Sequence, residues 1–392
     1  MTRKKRLLYL AWTPPSTQGG ACLAMHRHFV LHDDFEVFVA SSNVFTHPNL
    51  SSLHIQRHPL LKRLSDTRFC RLVRQFEMLV EPSWALKQVE PILEQFQPDA
   101  IFTVPDNTIS WTAYLLSKKT GLPLITNFQD WWPRGQFTLD LERPYSFVAS
   151  LLETRFKQLY EHSSLAFCTS AGMKQKLGEH HNAPVLYPCP ASRDLTWQPD
   201  FQPPPPHQPI RIIYAGTIIN AYGRSVLALA KALRENKEFE FHVYGPNPDW
   251  PAADRQWMEE EGIYRGLLSY DELKLKLREA DACLAVMSFE PQLRLMMETS
   301  FTTKFLEYSQ YGKPIVVWGP EYCQPIRVAQ AEGFALPVTS PDVASVVAAL
   351  DTLKTETCWK TLAHGAWQAA NSSFDPEKIH ELLKLSIQDV LS

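Results

Sequence analysis

The sequence predicts an α/β protein built from two consecutive Rossmann-like units, and three observations support this prediction. The 392 residues exceed one typical domain and suit two domains of about 190 residues each. Short apolar runs alternate with amphipathic stretches through both halves, which is typical of parallel sheets covered by helices. Between the halves, residues 196–210 include four consecutive prolines, which favour an extended, semi-rigid linker.

Strands and helices alternate in the first half, which we assign to residues 1–195. The apolar runs predict strands near 6–12, 36–40, 100–104, 122–127 and 165–169, with helices at 21–31, 84–95 and 110–120. After the linker, residues 211–374 repeat the pattern, with strands at 211–215, 240–244, 263–265, 282–286, 315–318 and 334–337. Helices are predicted at 225–236 and, last in the chain, at 376–391. Two such units would face each other across a ligand-binding cleft.

The composition argues against several classes of protein. The formal net charge of −3 gives no reason to expect a nucleic-acid partner. The seven cysteines are scattered and include no CxxC pair, which predicts reduced thiols in a cytoplasmic protein and disfavours a structural zinc site. No window approaches about 18 uninterrupted apolar residues, so no membrane-spanning helix is expected. The first apolar run, 7–12, is too short for the core of a signal peptide.

Residues 299–317 carry the strongest functional pattern. Thr302 and Thr303 stand where a helix is predicted to begin, and helix N-termini attract anions. Lys304 adds a full positive charge, and Glu307 follows one turn later on a similar face. A cation beside phosphates and a carboxylate able to hold ribose hydroxyls suit a nucleoside diphosphate. The alternative is an ordinary exposed helix with salt-bridging side chains.

The same run resembles the nucleotide-sugar segment of GT-B-fold glycosyltransferases, especially the retaining enzymes of glycosyltransferase family 4. Glu307 stands five residues before Gly312-x-Pro314, the spacing at which that family places its ribose-binding glutamate. The resemblance implies a GT-B architecture, a UDP- or GDP-sugar donor, a glycan or lipid-linked acceptor, and transfer with retention and without a metal cofactor. It also implies a role in polysaccharide or glycolipid assembly, and a last segment, 375–392, that crosses back to the first domain.

Glycines and arginines that follow predicted strands complete the expected donor site. Gly19 and Gly20 allow close backbone approach to a ligand where the first helix opens. Gly216 follows the first strand of the second domain, and Arg224 corresponds to the cation that the resembled family places against the diphosphate. Arg265 lies in a segment that resembles the one meeting the nucleobase. The alternatives are turns that need positive φ and a solvated arginine at a helix start.

Asp130 and Trp131 mark the expected acceptor side. Both follow the strand predicted at 122–127, and strand ends are where α/β proteins place polar functional groups. Asp130 would bond a sugar hydroxyl or orient an acceptor, and Trp131 or Trp132 would stack on a sugar ring. Gln129-Asp130 also resembles the Gln-Asp pair that related enzymes carry at this point. The alternative for adjacent tryptophans is core or interface packing. The predicted catalytic set is therefore Asp130, Arg224 and Lys304.

The resembled family also has a second carboxylate, and this chain departs from that pattern. The residue eight positions before Glu307 is Thr299. Glu290 and Glu298 do stand eight apart, but no Gly-x-Pro follows Glu298 at the right distance, so we interpret the pair as a coincidence. Two alternatives stay open: Glu298 takes the role from one position away, or this chain lacks the first acid. No Asp-x-Asp motif occurs, and Asp140-Leu-Glu142 without further ligands predicts no metal site.

A basic and partly apolar segment, 57–77, predicts contact with a membrane surface. It contains six Lys or Arg residues against two acids, interleaved with leucine and phenylalanine. Such a segment would rest on anionic lipid at the inner face of the membrane, beside a lipid-linked acceptor. The alternative is a basic helix that packs on its own domain.

Two rival functions stay open from the sequence. A nucleotide-sugar 2-epimerase of the same fold would release free products without an acceptor. A non-catalytic nucleotide-sugar or glycan-binding protein is motivated by Thr299, which stands where the resembled family has an acid. Turnover of a nucleotide sugar, measured with and without an acceptor, separates the three functions.

Overall fold

The computed structural model describes residues 3–17, 20–134 and 146–392 and confirms two Rossmann-like α/β units. The first unit comprises Met1–Cys189, Thr299–Phe301 and Ile379–Ser392, and the second comprises Pro190–Glu298 and Thr302–Lys378. The first continuous stretch of the first unit thus ends before the expected boundary at residue 195, and the segment expected to be a linker, 196–210, belongs to the second unit.

The sheet of the first unit consists of parallel strands: β1 (Arg6–Ala11), β2 (Glu36–Ser41), β3 (Ser51–His54), β4 (Ala100–Thr103), β5 (Leu124–Phe128) and β6 (Leu165–Cys168). Their order is β3-β2-β1-β4-β5-β6. β4, β5 and β6 are buried at every position, because their side chains are predominantly apolar on both faces, the pattern of a sheet covered on both sides. The register pairs Leu7 of β1 with Val37 on one side and with Ala100 on the other.

The helices between and after these strands are α1 (Gly20–Phe29), α2 (Pro59–Leu64), α3 (Cys70–Phe96), α4 (Ser110–Thr120), α5 (Ser146–His162) and α6 (Ala171–Leu177). α4 has the predicted bounds and ends at Gly121, where a φ of 75° favours glycine. α3 differs from the prediction, since it begins well before residue 84 and continues through Pro82 and Pro91. Each proline removes one helical hydrogen bond. Burial of one face of α3 and the ion pair between Glu77 and Arg57 stabilise the longer helix.

The sheet of the second unit is also parallel: β7 (Ile210–Ala215), β8 (Phe239–Tyr244), β9 (Ala282–Val286), β10 (Ile315–Trp318) and β11 (Leu336–Val338). Their order is β11-β10-β9-β7-β8. β9 and β10 have the predicted bounds, because both are continuous apolar runs buried at every position. The strand predicted at 263–265 is wrong, since these residues make a single bridge, between Tyr264 and Val243.

The helices that begin in the second unit are α7 (Asn220–Leu233), α8 (Ala252–Glu260), α9 (Tyr270–Glu279), α10 (Arg294–Thr299), α11 (Thr303–Ser309), α12 (Gln324–Glu332), α13 (Val343–Thr352), α14 (Glu356–Ala370) and α15 (Pro376–Val390). α7, α13 and α14 pack on the sheet around the fully buried Trp359. From Ile379 onward, α15 belongs to the first unit. Within the described residues, none of the helices is both long and apolar enough to cross a membrane.

Parallel strands place the loops that follow them at one edge of each sheet, the carboxyl edge. In the second unit, Gly216 begins such a loop after β7 and Gly245 begins another after β8. In the first unit, the loops after β4 and β5 carry Asp106 and Asp130. Open α/β sheets bind their ligands at this edge, so it locates the candidate site in each unit.

Candidate functional site

The candidate site of the second unit is centred on Lys304, the second residue of α11. Its Nζ lies 3.0 Å from the hydroxyl oxygen of Tyr214 and stands over the rings of Tyr214 and Tyr222, 4.8 and 5.5 Å from their centroids. Burial lowers the pKa of Lys304 to about 8, and within the described residues no carboxylate pairs with it. The site therefore holds a partly desolvated cation that an anionic ligand would compensate.

Gly216 makes room for this lysine. It follows β7 with a φ of 141°, a conformation that favours glycine, and donates its N–H to the carbonyl of Tyr244 at 2.9 Å. A Cβ at this position would collide with the side chain of Lys304. The structure thus brings together Gly216 and Lys304, two of the predicted donor-binding residues.

Glu307 lies one turn beyond Lys304 on α11. Its Oε2 accepts a hydrogen bond from the hydroxyl of Tyr270 at 3.0 Å, and its Oε1 accepts one from the N–H of Ala191 at 3.3 Å. A carboxylate is an acceptor-only group with about four acceptor positions, which suits ligand hydroxyls. The chain leaves this helix through Gly312, whose φ of 56° again favours glycine.

Thr302 and Thr303 open α11, where the sequence predicted a helix start. Thr302 is the N-cap residue in an extended conformation, and its side chain makes no capping hydrogen bond. α11 contains seven residues, which limits its dipole. The charge of Lys304 is therefore the main electrostatic feature of this part of the site.

Arg224 faces a different part of the second unit. It stands two helical positions after Tyr222, a rotation of about 200°, so the two side chains lie on opposite faces of α7. Its guanidinium forms an ion pair with Glu290 beside an open pocket of about 530 Å³ that Trp318 and Asp342 also line. In the described part of the chain, the structure brings Arg224 together with Glu290 and not with Lys304.

The carboxylates that the sequence left open have separate partners. Glu298 forms an ion pair with Arg294 at 2.7 Å, within α10. Thr299, which stands where the resembled family has an acid, is fully buried, and its carbonyl accepts a hydrogen bond from the hydroxyl of Ser170 at 2.6 Å. This position therefore contributes a backbone acceptor to the interior of the first unit and offers no carboxylate to a ligand.

Arg265 contacts the side chains of β8. Its guanidinium lies 2.9 Å from Nε2 of His242 and 3.9 Å from Glu240. Burial and the charge of Arg265 both lower the pKa of His242. The Arg265 N–H donates to the carbonyl of Val243 at 3.0 Å, so both side chain and backbone are anchored to this strand.

Asp130 follows β5 in the first unit, as predicted. It accepts a hydrogen bond from the hydroxyl of Ser300, a residue of the same unit, and burial raises the pKa of this carboxyl group. Trp131 is 2% exposed and its ring centroid lies 5.1 Å from that of Phe156 on α5. Trp132 is buried as well. This placement of the tryptophans matches the packing alternative rather than stacking on a sugar ring.

The remaining predicted residues lie at the edges of what the structure describes. Gly20 is the first residue of α1, so it does open the first helix. Gly19 lies outside the described residues. The Asp140-Leu-Glu142 run, which was not expected to form a metal site, also lies outside them.

Sequence reasoning missed Asp106, which follows β4, the neighbour of β5. Its Oδ2 accepts hydrogen bonds from the hydroxyl and the N–H of Thr13, the latter at 3.3 Å. Its Oδ1 is buried and has no partner in the part of the chain that the structure describes. Burial raises the pKa of Asp106 to about 6. The signal in the sequence was a lone acid soon after an apolar strand. Acids whose pKa is shifted by burial often mark functional sites.

Comparisons with known proteins establish the fold. No protein-family model and no curated protein sequence matches the chain. Sucrose-phosphate synthase from Thermosynechococcus elongatus matches in structure with a TM-score of 0.68 at 12% identity, covering 99% of this chain and 99% of that chain. Anabaena HepE in complex with UDP-glucose matches with a TM-score of 0.64 at 13% identity, covering 98% of this chain and 99% of that chain.

A third similar structure carries a different activity in its description. It is a putative UDP-N-acetylglucosamine 2-epimerase from Listeria monocytogenes, with a TM-score of 0.56 at 13% identity, covering 97% of this chain and 95% of that chain. At this level of identity the similarities show the fold alone. The chain has the GT-B fold, as the resemblance of residues 299–317 implied.

Proposed function

We propose that this chain is a glycosyltransferase that moves a sugar from a nucleoside-diphosphate sugar to an acceptor hydroxyl. The observation that carries the proposal is the position of Lys304 and Glu307 on one turn of α11, with Gly216 beside the lysine. Helical side chains three positions apart lie on one face. A cation and a carboxylate so placed suit a ligand whose phosphates adjoin ribose hydroxyls. HepE, which shares the fold, binds UDP-glucose.

Lys304 would supply the electrostatic part of the reaction. Negative charge develops on the departing diphosphate as its oxygen separates from the anomeric carbon, and a preorganised cation stabilises that charge. With a pKa of about 8, Lys304 is charged at neutral pH. The acceptor oxygen then bonds to the anomeric carbon, and its proton leaves with the diphosphate. Retention and independence of a metal are part of the proposal and come from the resemblance.

Glu307 would hold the ribose. Its present partners, Tyr270 and Ala191, orient the carboxylate before the donor arrives. A carboxylate can accept hydrogen bonds from two adjacent ribose hydroxyls, one at each oxygen. An ionised acceptor makes a stronger hydrogen bond than a neutral one, which favours a glutamate at this position.

Arg224 and Arg265 would complete the donor site, each in a different way. Arg224 has to exchange the carboxylate of Glu290 for the diphosphate, because the two form an ion pair in the structure. Arg265 would act through the loop that it anchors to β8, because its guanidinium is engaged with His242. On the acceptor side, we propose Asp130, with Asp106 in the loop after the neighbouring strand β4, as the carboxyl groups that bond the incoming hydroxyl.

A two-stage experiment tests the function. A thermal-shift screen of UDP- and GDP-sugars identifies the donor, since a bound ligand stabilises the folded chain by mass action. Turnover of that donor is then followed by release of nucleoside diphosphate, with and without glycan and lipid-linked acceptors and with and without EDTA. A transferase needs the acceptor and tolerates EDTA. Release without acceptor, together with a rearranged free sugar, would establish the epimerase instead, and donor binding without any turnover would establish a binding protein.

We further propose that the first unit associates with an anionic membrane at the cytoplasmic face, where a lipid-linked acceptor would be found. The 57–77 segment forms α2 and the first turns of α3, and it exposes apolar side chains: Leu60 is 65% exposed, Leu72 60% and Phe69 55%. Each nearby cation adds about 1 kcal/mol of attraction to anionic lipid. Arg57 pairs with Glu77 at 2.5 Å, which offsets its charge toward lipid.

Vesicle flotation tests the membrane proposal. Wild type should float with vesicles that contain phosphatidylglycerol, and salt should weaken this association because the attraction is screened. In the test variant, glutamine replaces four arginines of the segment: Arg63, Arg68, Arg71 and Arg74. In the control variant, it replaces four exposed cations of the second unit: Lys231, Arg234, Lys237 and Arg255. Loss of flotation in the test variant alone supports the proposal, and equal behaviour of all three proteins contradicts it.

A further inference from the structure

Three imidazoles and a carboxylate meet in the first unit, where α15 passes the end of α1. His380 of α15 is 3% exposed and stands between His28 and Asp34. Its Nδ1 lies 3.1 Å from Nδ1 of His28, and its Nε2 lies 2.9 Å from Oδ2 of Asp34. The ring of His32 stacks on that of His380, with centroids 3.6 Å apart and planes inclined by 11°.

We infer that His32, Asp34 and His380 bind a zinc ion. One ligand atom from each residue lies within 4.8 Å of the other two. Around tetrahedral zinc, with nitrogen and oxygen ligands at about 2.0–2.2 Å, neighbouring ligand atoms are roughly 3.3 Å apart. Nε2 of His380 and Oδ2 of Asp34 are at 2.9 Å, so this pair needs a shift of only a few tenths of an ångström. Two imidazoles, one carboxylate and a water form a donor set that zinc accepts.

The surroundings of His380 and Asp34 fit this role. The two facing Nδ1 atoms of His380 and His28 share one proton, and with Nε2 on the metal that proton resides on His380 and is donated to His28. Metal-binding histidines are commonly oriented by such a bond from their other ring nitrogen. Lys384 lies 3.5 Å from Oδ1 of Asp34, which leaves Oδ2 for the ion.

His32 is the ligand that has to move. A metal lies in the plane of each imidazole that binds it, so two parallel rings 3.6 Å apart cannot share one ion while they stay stacked. His32 follows α1, which ends at Phe29, and it is half-buried, so its ring would turn out of the stack as the ion binds. The bound ion would join the segment after α1 to α15 in the first unit, a structural role that does not depend on the proposed sugar transfer.

Zinc binding to the full chain, purified without a histidine tag and stripped with a chelator, tests the inference. Competition with a chromophoric chelator should show one zinc ion per chain, and zinc but not magnesium should raise the unfolding temperature. His32→Ala and Asp34→Asn should each weaken binding at least tenfold with unchanged far-UV circular dichroism. His181→Ala is the matched control, because His180 and His181 also stack, with centroids 4.4 Å apart, and it should bind zinc like the wild type.

Cobalt(II) distinguishes this site from adventitious binding. The wild type and His181→Ala should show the visible absorption of tetrahedral cobalt, and His32→Ala and Asp34→Asn should lack it. If one of the two ligand variants fails to fold, the other and the wild-type cobalt spectrum still decide. Less than one zinc ion per wild-type chain, or wild-type affinity in both ligand variants, would overturn the inference.

Discussion

Replacing Lys304 with methionine should strengthen the fold and weaken donor binding, two effects of opposite sign from one side chain. Methionine keeps an unbranched apolar stem beside Tyr214 and Tyr222 and removes the ammonium. In the free protein that ammonium is partly desolvated, and no carboxylate in the described residues compensates it. The charge is therefore unfavourable until an anion binds.

The pKa of Lys304 sets the size of the effect on stability. A shift from 10.5 to about 8 corresponds to roughly 3 kcal/mol, an upper value for a side chain that keeps some contact with water. Between these two pH values the unfolded chain binds more protons than the folded chain, so wild-type stability rises with pH through this window. Lys304→Met should lose that rise and be more stable than wild type at pH 7 by about 1–3 kcal/mol.

The same pKa sets the pH dependence of donor affinity. The phosphates of a nucleotide sugar stay ionised above neutral pH, so the titrating group is Lys304. Below about pH 7 it is charged before binding, and above pH 8 it has to take up a proton, which weakens affinity as pH rises. At pH 8.5 about three quarters of the free protein carries neutral Lys304, so binding should take up close to that fraction of a proton.

Two measurements check these effects. Calorimetric titration of the donor in buffers of different ionisation enthalpy gives affinity and proton uptake, and urea unfolding at pH 7 and pH 10 gives stability. Lys231→Met on α7 is the control, because its ammonium pairs with Asp254 at 2.6 Å and should influence neither quantity in this way. Equal proton uptake by Lys304→Met and wild type, or a less stable variant at pH 7, would refute the reasoning.

Three further predictions concern the neighbouring groups. Glu307→Gln should weaken nucleotide binding by about 1–3 kcal/mol. The 2′,3′-dideoxy nucleotide lacks the ribose hydroxyls, so its binding should show no such loss. Equal losses for both ligands would count against a contact between Glu307 and the ribose. Gly216→Ala should reduce donor affinity far more than Gly333→Ala. Both glycines have positive φ, but only a Cβ at position 216 would collide with Lys304. Equal effects of the two substitutions would exclude that collision as the cause. Asp106→Asn should be more stable than wild type at pH 8. The folded pKa of about 6 exceeds the ordinary 3.8, so wild-type stability falls as pH rises through this window, and an unchanged slope in the variant's urea midpoints would contradict this.

Local sequence pattern was sufficient to predict the helix and strands that build the candidate donor site of the second unit. β9 and β10 are uninterrupted apolar runs, and their predicted and observed bounds agree. Lys304 and Glu307 are three positions apart, so any helix over them places both on one face. Gly312 follows that helix and adopts the positive φ that its residue type allows. Each of these features depends on residues within one element, and hydrophobic period and backbone preference act over that range.

Only the tertiary structure decided which polar groups meet and how strongly their pKa values shift. Arg224 pairs with Glu290 from the loop after β9, although Tyr222, two positions earlier, faces Lys304. Asp106 gains its raised pKa from burial beside Thr13, and His380 meets Asp34 across most of the chain length. No local pattern contains these pairings, because the order of strands in the sheet brings distant segments together. Desolvation and ion pairing then depend on the neighbours that packing supplies.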